Sequence, residues 1–185
     1  MTWIVVLVVL AVVGYGIALY NRLVRARQMA EEGWSGIDVQ LKRRADLLPN
    51  LVETVQGYAT HERELLQRVT ELRNQARAVP PDDVAGRAQV EGLLSGAIGR
   101  LLAVVENYPD LKANQNFLQL QEQLATIENE VQMARRYYNG ATRDLNVLVE
   151  SFPSNLVAGF TGFVKRAFFE TDEESRAVPK VSFPR

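Results

Sequence analysis

Residues 34–76 read WSGIDVQLKRRADLLPNLVETVQGYATHERELLQRVTELRNQA, and this stretch decides the fold. Stepping alternately by three and four residues from Trp34 gives Ile37, Leu41, Arg44, Leu48, Leu51, Val55, Tyr58, Glu62, Leu65, Val69, Leu72 and Ala76. Most of these are apolar, and the spacing is that of a helical seam. Pro49 donates no backbone hydrogen bond and crowds the carbonyl four residues back, so it normally breaks a helix. The seam keeps its phase across it, which favours a kinked continuous helix. The alternative is one helix ending near Leu48 and another carrying Pro49 in its first turn. Two seam positions are charged, Arg44 and Glu62. Either both long side chains snorkel to the rim, or they form a buried polar layer that fixes how neighbouring helices align.

On the N-terminal side, Met1 to Asn21 carries no charged side chain, and TWIVVLVVLAVVGYGIALY is about long enough to cross a bilayer as a helix. Trp3 and Tyr20 bracket it, where amphipathic rings favour the interface. A cleaved signal peptide would want a basic residue before the apolar run. None precedes it, so a retained anchor over residues 1–21 is expected. Arg22, Arg25 and Arg27 follow at once. By the positive-inside tendency the N-terminus lies outside and the body in the cytoplasm. Gly33 and Gly36 around Trp34 mark a soft point between anchor and spine.

On the C-terminal side, VPPDD after Ala78 stops the helix, and Asp82 or Asp83 can cap the next one, which runs to about Asn107. Its middle contains Gly92, Gly96 and Gly99. Each glycine costs a helix up to about 1 kcal/mol relative to alanine, so their clustering predicts close approach of another backbone, within the bundle or between subunits. The corner Asn107–Asn114 leads into a third helix with a second long seam from Phe117 through Leu124, Val131 and Tyr138 to Leu148. From Phe152 the character changes: FPSNLVAGFTGFVKRAFFE holds five of the seven phenylalanines. This segment either closes the open end of the bundle or docks on a membrane or neighbouring subunit through Phe160, Phe163 and Phe168. Residues 171–185 read as an extended tail. The expected class is all-α: an N-terminal transmembrane helix, then a long-helix antiparallel bundle of the four-helix type over residues 22–170.

Composition narrows the chemistry. The 185 residues leave room for one modest domain with its appendages, and 21 Lys+Arg against 22 Asp+Glu give a net charge of -1. No field draws such a chain to nucleic acid. Absence of cysteine removes thiol catalysis and thiolate metal sites, and a single histidine, His61, cannot build a histidine metal cluster. The glycines at 92, 96 and 99 lack the Gly-Lys-Ser/Thr of a phosphate loop. A hydrolase using His61 and Glu62 is the one enzyme that can be written down, and neighbouring residues on a helix point about 100° apart. The expectation is therefore no enzyme, no catalytic residues, no metal and no cofactor.

An unbroken helix from Arg22 to Ala78 would be about 85 Å long, against about 38 Å and 60 Å for the next two. Seam residues near the membrane would then lack a partner in the same chain, which predicts packing against copies of itself. A fold-back near Pro49 would instead give a self-contained bundle.

The blocks WSGIDVQLKRRADLLPNLVETVQGYATHE (34–62), ENYPDLKAN (106–114), FLQLQEQLATIENEVQMARRYYN (117–139) and FPSNLVAGF (152–160), behind an uncharged N-terminal run, resemble the LemA family over nearly the whole chain. The resemblance implies a bacterial inner-membrane protein with a helical cytoplasmic domain and brings no catalytic residues with it. A LemA-like member takes part in building magnetosome membranes, so membrane organisation is the theme that it implies. The family's late helix often carries two Tyr-Asn pairs; here Tyr138-Asn139 stands, whereas the second reads Leu145-Asn146. Leu145 fits the apolar seam, which makes that position structural. The expected function is a membrane-tethered scaffold whose partners are the lipid bilayer and copies of itself. The alternative is an adaptor or regulator of another membrane protein, using its bundle and Phe-rich segment. The candidate interaction residues are Trp34, Arg44, Glu62, Gly92, Gly96, Gly99, Phe160, Phe163 and Phe168.

Overall fold

A computed structural model describes residues 1–59 and 61–170. The expected tail, 171–185, lies outside the described residues. Among the described residues all regular structure is helical: α1 (Thr2–Gln56), α2 (Arg63–Ala78), α3 (Val84–Val105), the single turn α4 (Pro109–Lys112), α5 (Gln115–Glu150) and α6 (Ser154–Thr161). The all-α class stands. The fold falls into two compact units, residues 1–42 with 127–168, and residues 43–126 with Phe169 and Glu170.

In the 43–126 unit, α1 passes through Pro49 without a break. Proline at position 49 withdraws the amide that would have bonded the Ala45 carbonyl. Arg73 on α2 replaces it, its Nε donating to the Ala45 oxygen at 2.6 Å. The continuous helix expected through Pro49 is what forms, and the chain folds back only after it, between Gln56 and Arg63. Gly57 is a poor helix former, and the amides of Tyr58 and Ala59 both bond the Val55 carbonyl, at 3.0 and 2.8 Å, tightening and ending the last turn. The seam keeps its phase across this corner because both arms face one core. Leu48, Leu51 and Val55 of α1 meet Leu66, Val69 and Leu72 of α2, Leu94, Ile98 and Leu101 of α3, and Phe117 and Leu124 of α5. Four helical segments thus cover each other's apolar faces, and the length mismatch that predicted uncovered seams is gone. Two caps fix the entries: Asp83 accepts from the Gly86 amide at 2.8 Å, and Asn114 from the Phe117 amide at 3.1 Å.

In the other unit, α1 packs on α5 and α6. Leu23, Ala26 and Ala30 share a core with Ala141, Leu145, Ala158 and Phe163. The alanines keep the helices close, and Leu145 is buried as the seam required. The adjacent Asn146 clamps the backbone of Arg166, its amide nitrogen donating to the carbonyl and its oxygen accepting from the amide, both at 2.9 Å. Position 145 is structural, as expected.

Gly33 is no soft point. It is buried inside α1, where an added Cβ would lie 2.9 Å from the Cα of Tyr138 and 3.0 Å from the Tyr137 ring. The glycine therefore sets the approach of α1 to α5. Gly36, one turn on, has nothing within 4 Å of an added Cβ. Gly33→Ala is expected to destabilise the protein by roughly 1–2 kcal/mol, an overpacking cost partly offset by better helix propensity. Gly36→Ala has only the propensity gain, up to about 1 kcal/mol. Thermal melting of the two variants should move in opposite directions.

Candidate functional site

Arg44 is 1% exposed, so the rim-snorkelling reading of this residue is overturned. Its seam position points it into the 43–126 core, too deep for its chain to reach water. There it donates from Nη2 to the Glu91 carboxylate, and from Nη1 to the Ser95 hydroxyl at 2.7 Å. Glu91, itself 2% exposed, also accepts from Arg87 Nε at 2.8 Å. Two guanidiniums therefore share one buried carboxylate. The second reading, a polar layer that aligns helices, describes Arg44.

Glu62 is not part of that layer. It sits half-buried at the start of α2 and accepts from the Tyr108 hydroxyl at 3.3 Å. At the same corner the Asn114 side chain donates to the Tyr58 hydroxyl at 3.0 Å, and Lys112 pairs with Glu106. The α1–α2 turn and the Tyr108–Asn114 corner are thereby tied by side chains from the GYATHE and ENYPDLKAN blocks. Desolvation, then the charge and hydrogen bond of Glu62, push the Tyr108 phenol above its usual range. Because the raised value favours the neutral phenol in the folded state, the stability it contributes is complete below the ordinary tyrosine pKa and is lost as pH rises through the raised one. Glu62→Gln should lower the Tyr108 midpoint, read by ultraviolet titration of the phenolate. His61 is exposed, and the carboxylate beside it is engaged with Tyr108.

Gly92 and Gly96 line a groove of about 400 Å³ between α2 and α3, with Leu65 and Leu72 on one wall and Leu93 on the other. Arg68 and Arg100 also line it. The close approach expected within the bundle is absent at Gly96 and Gly99: nothing lies within 4 Å of a Cβ added at either. Gly99 is on the exposed face of α3.

In the other unit Trp34 is half-buried and packs on Tyr138, ring centroids 5.6 Å apart. The Tyr138 hydroxyl donates to the Ala167 carbonyl at 2.8 Å, holding the chain beyond α6. The Phe-rich segment divides its roles. Phe163 is buried, edge-on to Tyr20 at 6.0 Å and under the Arg27 guanidinium at 5.0 Å. Phe160 is 94% exposed and Phe168 partly so.

Sequence reasoning missed Glu91, Arg87, Ser95, Tyr58, Tyr108 and Asn114 as partners. The first two carried a signal: counting back by three and four from Ile98 and Leu94 lands on Glu91 and Arg87, charges on an apolar stripe. Among the described residues no three His, Asp or Glu side chains gather as a metal site. The buried Arg44–Glu91–Arg87 cluster ties α1 to α3.

The chain is similar to known proteins over most of its length. The chain is 27% identical to Protein LemA of Metamycoplasma hominis over 156 residues, covering 84% of this chain and 71% of the relative. It is 24% identical over 189 residues to the magnetosome protein MamQ 2 of Paramagnetospirillum magneticum, covering 89% of this chain and 70% of that protein. The MamQ protein of Magnetospirillum gryphiswaldense is likewise 24% identical, over 81% of this chain and 64% of its own length. The model of the LemA family matches residues 33–183, from the close-approach glycine through the Phe-rich segment, and the chain belongs to that family.

Proposed function

We propose that this protein is a membrane-anchored helical scaffold that holds its bundle at the cytoplasmic face of the bacterial inner membrane and assembles with copies of itself. The observation that carries the proposal is α1, whose first twenty residues are apolar and almost wholly exposed, while the same helix continues into a buried core. Large apolar side chains exposed along every face fit a lipid surrounding rather than water. α3 is also long and apolar enough to span, but Leu94, Ile98, Leu101 and Val105 are committed to the core. Arg22, Arg25 and Arg27, directly after the apolar run, support an orientation with the bundle on the cytoplasmic side. Relatives named as magnetosome proteins support a role at membranes. The reading includes no turnover; an activity lost on His61→Ala would overturn that part.

Self-assembly rests on the open α3 face at Gly96 and Gly99, which can admit another backbone closely. In isolation, Gly96→Ala and Gly99→Ala should each stabilise the fold by up to about 1 kcal/mol, because helix propensity rises and nothing is struck. If the face is a contact between copies, Gly96→Leu with Gly99→Leu should dissociate the assembly. The test is the mass of the complete protein in nanodiscs. A discrete multiple of the 20.8 kDa chain, reduced by the leucine pair, supports the scaffold. A wild-type monomer overturns self-assembly.

A second reading, an adaptor for another membrane protein, is favoured by the fold-back at residues 57–62, which covers the seams within one chain. Its recognition surface would be Phe160 and Phe168, since Phe163 is internal.

A further inference from the structure

The chain from Phe152 to Val164 keeps an unusual distribution of apolar side chains. Ser154 and Ala158 face inward, and Phe163 closes the core with Leu23 and Ala26. The outward positions are also apolar: Phe152 is 79%, Leu156 56%, Phe160 94% and Val164 73% exposed. Leu156 and Phe160 are four residues apart and share one face of α6. Gly162, at φ 75, ends the helix in the left-handed conformation that glycine adopts without strain, and the Phe163 amide returns to the Ala158 carbonyl at 3.0 Å. This turn puts Phe163 inside and leaves Val164 out.

The location of this surface indicates what covers it. Phe163 touches Tyr20, the last aromatic of the apolar run, and Arg27, just beyond it. α6 therefore lies at the level where α1 leaves the apolar segment. Arg22 and Arg25 stand at the same level, beside Val147 and Leu148 of α5, with Asp144 the one acidic neighbour in that groove. Lys165 is tied to Glu150 at 2.6 Å and Arg166 to Glu31 at 3.0 Å, fixing the segment after Val164.

We infer that α6 and its flanks form a second, in-plane contact with the bilayer, in which Phe152, Leu156, Phe160 and Val164 enter the interfacial zone of the leaflet from which the bundle emerges. The proposal rests on the anchor reading of α1 and adds a surface to it. Aromatic and branched side chains suit the boundary between headgroups and acyl chains, and arginines at that depth meet anionic phosphates. The bundle would then be held by two points, which limits its tilt, and α6 would occupy area in one leaflet only.

The chain contains no cysteine, so single Leu156→Cys and Phe160→Cys variants of the full protein accept one fluorophore each. Both side chains are largely exposed, which spares the fold. The labelled proteins are reconstituted in vesicles of phosphatidylethanolamine and phosphatidylglycerol, with Leu10→Cys and Gln121→Cys as references. The expected result is quenching at 156 and 160 by lipids carrying a nitroxide near the headgroup, with loss of quenching by aqueous iodide, while position 121 behaves oppositely. Iodide quenching at 156 and 160 with deep nitroxide quenching at position 10 would overturn the α6 contact and leave the anchor standing. Iodide quenching at position 10 would overturn the anchor and this proposal with it. Shielding at 156 and 160 from both quenchers, lost on dilution to one chain per vesicle, would assign the surface to a second copy and overturn the lipid contact.

Discussion

Replacing Glu91 with alanine is expected to destabilise the protein by about 3–5 kcal/mol, the largest effect of any single substitution considered. The carboxylate is 2% exposed and accepts from Arg44 and Arg87 together. Its removal takes away the buried carboxylate that both guanidinium groups share in the 43–126 core. Arg44, at 1% exposure, cannot reach water by a change of rotamer alone. The cost is that of removing a buried counter-charge, not the net worth of the ion pair. Replacing all three residues together, as Arg44→Met, Arg87→Met and Glu91→Leu, should therefore recover most of the loss, because the desolvation penalty disappears with the charges. Urea unfolding followed by circular dichroism distinguishes the cases. A Glu91→Ala variant as stable as the parent would show that the carboxylate carries no such burden.

Arg73→Met is expected to cost about 1.5–3 kcal/mol, the range for a hydrogen bond from a charged donor to a buried acceptor. Arg73 Nε supplies the bond to the Ala45 carbonyl that Pro49 cannot. Without it a carbonyl inside the bundle has lost both its helical and its substitute donor. In a Pro49→Ala background the new amide at position 49 can bond the same carbonyl, so the cost of losing Arg73 should shrink to what its remaining packing is worth. This non-additivity is the diagnostic. Equal costs in both backgrounds would mean that Arg73 acts through something other than the Ala45 carbonyl.

The helical seams were legible because burial imposes a period on sequence. Ile37, Leu41, Leu48, Leu51 and Val55 are buried, as are Phe117, Leu124, Val131, Tyr138 and Leu145 on α5. The fold-back at residues 57–62 was not, since a turn that returns both arms to the same core need not reset the phase of the seam. Periodicity reports which face is inside, not which residues lie across from it. For that reason Arg44 could be flagged as a seam charge while its partner Glu91, 47 residues on, could not be named from the spine alone. Glycine clustering likewise did not say whether its close approach lies within the chain or between copies. The contact that needs glycine is Gly33 against Tyr138, whereas Gly96 and Gly99 face open space. The Phe-rich segment was legible as a change of character, but only packing separates Phe163, which closes a core, from Phe160, which closes nothing in the described structure. The corner linking Tyr58, Glu62, Tyr108 and Asn114 joins two blocks far apart in sequence, and no local pattern announces that pairing.

The proposed topology has α1 running out of the bilayer and into the bundle, with its N-terminus on the opposite side of the membrane from everything after Arg22. Thiol accessibility tests it most directly, because single cysteines at Thr2 and Gln121 would be the only thiols in the chain. With a membrane-impermeant maleimide, the cysteine at position 2 should label from outside cells whose outer membrane has been opened. The cysteine at position 121 should label only after the inner membrane is breached. Labelling of both from the same side, with the protein released from membranes by alkaline carbonate, would contradict the account.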